Sequence, residues 1–444
     1  MVKKLFGTDG VRGVAGELLT TELAAALGSV ATRESSAARP QVLIVRDTRE
    51  SGPMLEAALA DGIAAAGGDV LLAGVLPTPA ASVLVRRLGL DLAIVISASH
   101  NPWRDNGIKF FGGDGRKLDD AQEARIEAGV AAIIEKRNVA ATSPAGGAGR
   151  VRRLEGSLDD YIRELQSCFR LDLEGIDVVL DCANGAAFEA APAIFERLGA
   201  TVDVIAAEPD GRNINEGCGS THPDALATRV RETSADLGFA FDGDADRVVA
   251  VDGSGQIRDG DELLALIARH LSAHERLAGG VAVTVMTNYG FHGAMREAGI
   301  EVATTPVGDR SVSAELERRG WSFGGEQSGH LIWTQFAPTG DGIAAALLAI
   351  SALAGRSLAE VEPMTKVPQV LVNVTVADRD AIGAATRLWD AVEREQARLE
   401  GRGRVLVRSS GTEPLVRVMV EAPQQAEADE VCRRLVDLVR AELG

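Results

Sequence analysis

The sequence predicts an α/β protein with three similar mixed-sheet domains, followed by a smaller α+β domain at the C-terminal end. Strand-like apolar runs alternate with segments of helical periodicity along most of the chain. This alternation of strands and helices ends near residues 363–368. In the part that follows, the strand candidates 403–407 and 415–421 have no helix between them. A chain of 444 residues is also too long for one hydrophobic core. The expected domain borders are 1–150, 151–256, 257–367 and 368–444.

The strand and helix candidates of the first domain are short apolar runs and longer amphipathic segments. In chain order they are helix 21–33, strand 41–46, helix 54–67, strands 69–72 and 91–96, and helix 119–136. Residues 141–149, small and rich in Gly and Pro, are expected to form a linker. The second domain is expected to contain strand 176–181, helix 186–198, strand 201–205, helix 223–233 and strand 237–241.

The third domain repeats this alternation, whereas the fourth departs from it. The third has strand 280–286, helix 290–298, strand 301–305, helix 311–319 and an uncharged helix at 342–355. The fourth has strand 369–376, a long helix 380–401, strands 403–407 and 415–421, and a last helix 424–443.

Charge composition argues against nucleic acid and anionic membrane surfaces as partners. The chain has 46 basic and 64 acidic residues, which gives a net charge of −18. The negative net charge does not exclude a small anionic ligand. Charges more than about 8 Å apart are screened at physiological salt, so a local cluster of arginines can outweigh the overall negative charge. Hydrophobic and charged fractions of 46% and 25% are those of an ordinary globular protein.

The sequence suggests neither a targeting segment nor a membrane span, and we therefore expect a cytoplasmic protein. "MVKKLFGTDG" turns polar before the apolar part of a signal peptide could form, and the run at 342–355 has the length of a buried helix. The four cysteines show no C-x-x-C pairing, which argues against a zinc site or a disulfide framework.

"FDGDADR" places Asp242, Asp244 and Asp246 at alternate positions directly after an apolar strand. Carboxylates this close share a cation or repel one another, and an all-oxygen ligand set favours Mg²⁺. An acidic surface turn is the alternative, but apolar runs on both sides place the motif at the edge of a core. An EF-hand is excluded because its sixth and twelfth positions would be Arg247 and Gly253. The motif predicts a magnesium loop.

"VRSSGTEPLVRV" joins two strands through a loop that suits a phosphate monoester. Its donors are hydroxyl groups, backbone amides and guanidinium groups, from Arg408, Ser409, Ser410, Gly411, Thr412 and Arg417. A polar hairpin is the alternative.

Three further loops, "WSFGGEQSGH", "TTPVGDRSV" and "FGTDGVRG", carry weaker signals. In the first, Glu326, Gln327, Ser328 and His330 suit sugar hydroxyls, and in the last Arg12 suits an anion. Plain turns explain each of the three equally well.

"AIVISASHNPWRDNGIKFF" contains the best nucleophile candidate. His100 has no orienting partner in the sequence, and Ser97 lies close to the strand end, whereas Ser99 lies at the loop apex and is expected to be better exposed. The chain has no G-x-S-x-G elbow, no Walker A run and no G-x-G-x-x-G. A serine together with a magnesium loop, a sugar-like loop and a phosphate loop indicates phosphoryl transfer through a phosphoserine.

Five motifs follow one another as they do in a known family of enzymes. They are "KLFGTDGVRG", "ISASHNPWRDNGIKFF", "FDGDADR", "GGEQSGH" and "RSSGTEPLVRVMVE". On these motifs the chain resembles the α-D-phosphohexomutases over essentially its whole length, and the first motif and Gln327 point to the amino-sugar branch. The resemblance implies four domains around a central cleft, each contributing one loop. Two departures, Trp103-Arg104 in place of two tyrosines and Ser311 in place of an aromatic residue, concern loop contacts.

The resemblance also implies roles for individual residues. Those implied near the reacting phosphoryl group are Ser99 as phosphoserine, Lys109 as general acid/base, Arg12 and His330. Those implied to hold Mg²⁺ are the Ser99 phosphate, Asp242, Asp244 and Asp246. Those implied to bind the sugar or its non-reacting phosphate are Arg247, Glu326, Ser328, Arg408, Ser410, Gly411, Thr412 and Arg417.

The implied reaction is the interconversion of glucosamine 6-phosphate and glucosamine 1-phosphate, with Mg²⁺ as cofactor and glucosamine 1,6-bisphosphate as intermediate and activator. Such an isomerase, a monomer or homodimer, would supply UDP-N-acetylglucosamine and cell-wall precursor synthesis. A phosphoglucomutase/phosphomannomutase is the alternative in the same family. An aspartate-nucleophile phosphatase would place the phosphate on Asp242 and leave Ser99 without a role. A non-catalytic sugar-phosphate-binding protein would need neither Lys109 nor a metal beside a serine.

Overall fold

The computed structural model describes residues 5–7, 9–135, 147–410 and 414–444. The chain divides into two compact units, Met1–Val285 with Ile300–Glu362 and Met286–Gly299 with Pro363–Gly444. Residues 141–146 of the expected linker lie outside the described residues. The first unit contains three mixed sheets with helices and the second a small antiparallel sheet with helices, as the sequence predicts. The domain borders themselves stay a prediction.

The first sheet has six strands in the order β1-β5-β4-β2-β3-β6. The strands are β1 (Val11–Val14), β2 (Gln41–Arg46), β3 (Asp69–Val75), β4 (Leu92–Ile96), β5 (Asp105–Gly112) and β6 (Val151–Arg153). The helices are α1 (Thr21–Glu34), α2 (Gly52–Ala65), α3 (Thr78–Arg87) and α4 (Asp120–Glu135). β4 lies parallel to β2 but antiparallel to β5, and all five of its residues are buried. This makes it a central strand, whose ends lie at the two edges of the core.

The second sheet has five strands in the order β11-β10-β9-β7-β8. Its elements are α5 (Ser157–Cys168), β7 (Asp177–Asp181), α6 (Ala187–Arg197), β8 (Thr201–Ile205), α7 (Asp224–Thr233), β9 (Leu237–Phe241), β10 (Val248–Asp252) and β11 (Ile257–Arg258). β9 pairs in parallel with β7 and antiparallel with β10, so a short loop from Asp242 to Arg247 joins two buried neighbouring strands.

The third sheet has four strands in the order β13-β12-β14-β15. Its elements in the first unit are α8 (Gly260–Ala273), β12 (Val281–Thr284), β13 (Val302–Thr305), α10 (Asp309–Arg319), β14 (Phe323–Gly325), β15 (Leu331–Trp333) and α11 (Gly342–Leu353). The helix α9 (Tyr289–Glu297) of this part of the chain belongs to the second unit. α11 is buried along nearly its whole length, which confirms the buried helix expected from its charge-free sequence.

The second unit contains a three-stranded antiparallel sheet in the order β16-β18-β17. Its elements besides α9 are β16 (Gln369–Thr375), α12 (Thr386–Arg398), β17 (Arg404–Ser409), β18 (Leu415–Glu421) and α13 (Gln425–Leu443). Apolar side chains of β18 and α13 form most of its core. The start of α9 is bound to this sheet, since Tyr289 N donates to Glu421 Oε1 at 3.3 Å.

Two expectations about helices were wrong. The helix expected at 380–401 is a 3₁₀ segment, Arg379–Ala384, followed by α12; Gly383 disfavours a continuous helix, and Ala385 has non-helical dihedral angles. Helices α3, α5 and α8 were missed, although Pro79 in the first turn of α3 is a start signal. Within the described ranges, none of the helices combines the length and apolar character needed to cross a membrane.

A buried tyrosine–carboxylate pair fixes the start of α11. The Tyr161 hydroxyl donates to Asp341 Oδ2 at 2.8 Å, and Asp341 Oδ1 accepts from Ala344 N at 2.9 Å as the N-cap of α11. Both side chains are buried. Burial raises the pKa of Asp341 to about 6, and the bonds from Ala344 and Tyr161 oppose that rise.

Tyr161→Phe is expected to lower the free energy of unfolding at neutral pH by about 1–3 kcal/mol, because Asp341 then loses a buried donor. Since the folded pKa lies above the ordinary 3.8, unfolding releases a proton between these values and stability falls as pH rises through that window. The variant should therefore lose less stability at pH 5 than at pH 7.5. Urea unfolding at both pH values measures this, with Tyr289→Phe as control; equal losses at both would contradict it.

Candidate active site

Ser99 lies in the loop between β4 and β5 and is buried, not exposed as expected. Its side chain is 1% exposed, and its Oγ donates to Asp242 Oδ2 at 2.5 Å. The residue has a φ of +54°, in the left-handed region that residues other than glycine rarely adopt. The expectation of exposure was wrong because the loop that contains Asp242 packs over the apex.

The three aspartates of "FDGDADR" lie together directly after β9. One carboxylate oxygen of each lies within 4.8 Å of the others, and all three side chains are buried. The glycine between the first two is required by close packing, since a Cβ at Gly243 would lie 2.6 Å from the Ser99 carbonyl oxygen. The metal loop and the serine loop are therefore in direct backbone contact.

This donor set fits a magnesium ion. Asp244 Oδ1 and Asp246 Oδ1 are buried and accept no hydrogen bond. Buried carboxylate oxygens without a donor are costly, and hard oxygen ligands are those that Mg²⁺ selects. Asp242, Asp244 and Asp246, with an oxygen on Ser99, would hold the ion.

Lys109 lies beneath the metal loop and is 1% exposed. It is on β5, opposite Val95 of β4. Its Nζ lies 2.7 Å from Asp244 Oδ2, 3.1 Å from Asp9 Oδ2 and 3.8 Å from Asp246 Oδ2. Burial alone would lower the pKa of Lys109, but Asp244 and Asp9 raise it above the ordinary value, so the ammonium form is favoured.

Thr78, which sequence reasoning missed, orients Asp244 from the start of α3. Its Oγ1 donates to Asp244 Oδ2 at 2.6 Å, and its backbone N–H donates to the Asp244 carbonyl at 2.9 Å. Asp244 thus uses Oδ2 for protein donors and keeps Oδ1 available. The proline that marks the start of α3 was the signal that could have identified this residue.

Arg12 joins the same site through a chain of alternating charges. It forms an ion pair with Asp9, and Lys117 contacts both Asp9 and Asp309. Asp9 and Asp309 stand in the "FGTDGVRG" and "TTPVGDRSV" loops, but only Arg12 was singled out there from the sequence. Although burial would raise the pKa of Asp9, Lys109, Lys117 and Arg12 hold it well below its usual range.

His330 lies between Asp246 and Asp309 and is buried. Its Nδ1 is 3.6 Å from Asp246 Oδ1 and its Nε2 is 3.8 Å from Asp309 Oδ2. Gly340 N donates to Nε2 at 3.1 Å, which makes Nε2 an acceptor and places the ring proton on Nδ1, towards Asp246. Burial alone would lower the pKa of His330, whereas Asp246 and Asp309 raise it.

Arg247 connects the metal loop to His100. Its backbone N–H donates to Asp242 Oδ1 at 3.2 Å, and its Nη1 lies 3.1 Å from His100 Nδ1. Burial and then Arg247 lower the pKa of His100 to about 4, so its ring is neutral near pH 7.

The sugar-loop candidates lie in the same unit as the metal loop. Glu326, half-buried, accepts from Gly308 N at 3.0 Å through Oε1, and Ser328 is exposed. The Gly329 backbone N–H donates to the Glu326 carbonyl at 3.0 Å, and Val248 N donates to the Gly329 carbonyl at 3.1 Å. The loop is therefore anchored next to the end of the metal loop, with the Ser328 hydroxyl facing outwards.

The pKa values of Asp242 and Asp246 are shifted in opposite directions. Burial, then Asp246 and Asp244, raise the pKa of Asp242. Burial would also raise the pKa of Asp246, but His330, Lys109 and Arg247 together hold it below its ordinary value. A cation bound at the loop would relieve the repulsion that disfavours the ionised form of Asp242.

The phosphate-loop candidates lie in the second unit. Arg408 and Arg417 are directly opposite each other on β17 and β18. Burial and then Arg417 lower the pKa of Arg408. Like charges directly opposite in a sheet are destabilising, and a bound anion would offset that cost. Ser410 is buried next to them, whereas Gly411 and Thr412 lie outside the described residues.

Trp103-Arg104, a departure from the expected pattern, forms a stacked cluster on the loop that contains Ser99. The guanidinium groups of Arg104 and Arg212 lie 5.3 and 5.2 Å from the Trp103 ring centroid. Ser311 lies in the first turn of α10. Neither departure replaces Ser99 or any of the three aspartates.

The Phosphoglucomutase/phosphomannomutase family models match most of the chain. Alpha/beta/alpha domain I matches residues 3–137, domain II residues 159–255, domain III residues 259–367 and the C-terminal domain residues 371–438.

Individual relatives extend over nearly the whole chain. A phosphoglucosamine mutase of Desulforudis audaxviator is 50% identical over 98% of this chain and 97% of its own length. One of Pelotomaculum thermopropionicum is 49% identical over 98% and 99%. Among solved structures, a phosphoglucomutase/phosphomannomutase family protein of Burkholderia thailandensis has a TM-score of 0.82 at 26% identity, over 100% of this chain and 98% of that one. With four domain matches in order and relatives of this identity, the chain belongs to the phosphoglucomutase/phosphomannomutase family.

Proposed function

We propose that the protein interconverts glucosamine 6-phosphate and glucosamine 1-phosphate through a phosphoserine at Ser99. The observation that carries the proposal is the Ser99 hydroxyl, 2.5 Å from one of three clustered carboxylates and next to a loop in which two carboxylate oxygens accept no hydrogen bond. The relatives that are about half identical over their full length are named phosphoglucosamine mutases, which supports the amino sugar as substrate. The reaction is an isomerisation.

The proposed cycle has two phosphoryl transfers that balance each other. In the first, the P–Oγ bond of phosphorylated Ser99 breaks and a bond forms to O1 of glucosamine 6-phosphate, giving the 1,6-bisphosphate. The proton of the sugar hydroxyl passes to Ser99 Oγ, with Lys109 as the group that gives and takes it. In the second, the P–O6 bond of the bisphosphate breaks, a P–Oγ bond forms on Ser99, and the Ser99 proton passes to O6, which gives glucosamine 1-phosphate.

The residues around Ser99 suit a transfer that depends on positioning and charge neutralisation. Magnesium, when bound, supplies stabilisation of the phosphoryl charge worth several kcal/mol. Lys109 and Arg12 add positive charge next to Asp9. His330 and Arg247 contact the aspartates of the metal loop. A phosphoserine carries a charge of about −1.5 to −2 at pH 7, which magnesium, Lys109, Arg12 and Arg247 would balance.

Recognition of the sugar is assigned to Glu326, Ser328 and Arg247, and recognition of the non-reacting phosphate to the second unit. The paired guanidinium groups of Arg408 and Arg417, with the Ser410 hydroxyl, would bind that phosphate, and Gly411 and Thr412 are proposed to complete the loop. A monomeric or homodimeric state, a cytoplasmic location and a role in supplying cell-wall precursors stay predictions.

The geometry argues against the aspartate-nucleophile phosphatase. Both oxygens of Asp242 accept hydrogen bonds, Oδ2 from Ser99 Oγ and Oδ1 from Arg247 N. A carboxylate with both oxygens so engaged is a poor nucleophile, whereas the Ser99 hydroxyl is a group that can carry a phosphoryl ester. A non-catalytic binding protein would leave the buried Lys109 and its carboxylate partners unexplained.

Ser99→Ala is expected to lose nearly all mutase activity while keeping its thermal unfolding midpoint, because the residue that accepts and donates the phosphoryl group is gone. Intact-mass and peptide analysis of the wild type should find one added phosphate, on Ser99, in at least part of the population. Ser36→Ala, on the exposed surface, is the control. Full activity in Ser99→Ala, or a phosphate on Asp242, would refute the assignment.

Asp244→Asn should weaken Mg²⁺ binding and lower turnover by orders of magnitude, since a buried charged ligand is removed. Calorimetric titration with Mg²⁺ measures binding directly, and activity against Mg²⁺ concentration measures its consequence. Asp114→Asn changes an exposed carboxylate and should alter neither. Undiminished wild-type activity after exhaustive chelation would rule out the metal role.

Glucosamine 6-phosphate should give a higher kcat/KM than glucose 6-phosphate or mannose 6-phosphate. The basis is "GGEQSGH" together with the names of the relatives. ³¹P NMR with Mg²⁺ and a trace of the matching 1,6-bisphosphate compares the three sugars under one set of conditions. Equal or faster turnover of mannose 6-phosphate would instead favour the phosphoglucomutase/phosphomannomutase alternative.

A further inference from the structure

Arg49, in the turn after β2, makes a dense set of bonds to the loop that contains Ser99. Its side chain is fully buried. Its Nε donates to Asp47 Oδ2 at 2.8 Å. Its two terminal nitrogens donate to four backbone carbonyls of that loop, those of Ser99, Asn101, Pro102 and Asp105. All five N–H groups of the guanidinium are therefore used.

Asp47 extends this network to the amide side of Ser99. Its Oδ2 accepts from Ser97 Oγ at 2.6 Å, and Ser97 Oγ in turn accepts from Ser99 N at 3.0 Å. Ser97, weighed as a nucleophile from the sequence, is thus a structural link. The N–H and the carbonyl of Ser99 are both tied to the Asp47–Arg49 pair.

Asn215 supplies a second set of donors from the chain segment between β8 and α7. Its Nδ2 donates to the Ser99 carbonyl at 3.0 Å and to the Asn101 carbonyl at 3.2 Å. Its own backbone N–H donates to the Ala183 carbonyl at 2.9 Å, next to the end of β7. The carbonyls of Ser99 and Asn101 each accept from both Arg49 and Asn215.

These bonds act on the one residue of the loop whose backbone is left-handed. Ser99 has a φ of +54°, and without outside support an L residue would relax to the β or right-handed region. Such a relaxation would turn the Cα–Cβ bond and move Oγ away from Asp242. Strained conformations of this kind persist where the surrounding structure fixes them.

We propose that Arg49 and Asn215 are positioning residues for phosphoryl transfer: together they hold the Ser99 backbone so that Oγ faces the metal loop. The proposal rests on the proposed function of Ser99 and adds two residues to it. Neither side chain reaches the reacting atoms; both act through the two carbonyls. Their loss is therefore expected to slow transfer to and from Ser99 while leaving sugar binding intact.

Asn215→Gly is the main test, because glycine tolerates the φ of +60° at this position and only the two side-chain donors are lost. Arg49→Lys is the second variant: it keeps a cation beside Asp47 but has three donors instead of five. Arg212→Ala is the matched control. Arg212 lies near Asn215 and is exposed; it contacts Glu50 and the Trp103 ring but donates to neither the Ser99 nor the Asn101 carbonyl.

In Asn215→Gly, kcat should fall by about 100-fold, the loss typical of a small misplacement of reacting groups. The KM for the sugar phosphate should stay within about threefold, because groups that bind substrate in the ground state are unchanged. The rate at which added glucosamine 1,6-bisphosphate phosphorylates Ser99, followed by intact mass, should fall in parallel with kcat. Arg49→Lys should lose at least as much, and Arg212→Ala less than about twofold.

Wild-type kcat and wild-type phosphorylation of Ser99 in folded Asn215→Gly would overturn the proposal. So would losses that appear equally in KM, or that Arg212→Ala reproduces, because they would indicate a merely structural role. If Arg49→Lys does not fold, the results for Asn215→Gly alone test the proposed positioning role. Absence of phosphoserine from wild-type protein treated with the bisphosphate would overturn the function of Ser99 itself, and this is seen before any variant is compared.

Discussion

The burial of several carboxylates around one ammonium group constrains the whole first unit. Lys109 is 1% exposed and lies within 4 Å of Asp9, Asp244 and Asp246. Removing so many charges from water is costly unless each is paired and hydrogen-bonded. The chain meets this requirement by bringing Lys109 of the first sheet against a loop of the second sheet, so that the fold and the chemistry depend on the same contacts.

A fixed site of this kind suits a reaction in which little covalent help is needed. A largely dissociative phosphoryl transfer gains from groups already aimed at the places where charge develops. Thr78 occupies one oxygen of Asp244 and leaves the other without a donor, and Gly243 permits the metal loop to touch the serine loop. These supporting contacts orient the functional groups before substrate arrives.

The role proposed for the second unit poses a different problem, which is how two cations of one strand pair would bind an anion. Arg408 and Arg417 face each other across β17 and β18, where like charges repel. A phosphate bound between the guanidinium groups, as proposed above, would replace this repulsion by charge-assisted hydrogen bonds. Its core, formed by β18 and α13, is separate from those of the mixed sheets.

The sequence by itself determined the order of most of the helices and strands and the identity of the main loops. Segments such as β4, β9 and α11 can be predicted from the sequence because burial on all sides requires an uncharged run. "FDGDADR" predicts a bound cation because carboxylates at alternate positions would otherwise repel one another. The interrupted helix before α12 and the missed α3 show that local sequence signals locate helix ends poorly, since a single glycine or proline can move the end of a helix. The burial of Ser99, and the contacts of Thr78, Asp309, Arg49 and Asn215, were decided only by the tertiary structure. These side chains act on loops distant along the chain, and no local spacing records which carbonyl or carboxylate a buried donor will meet.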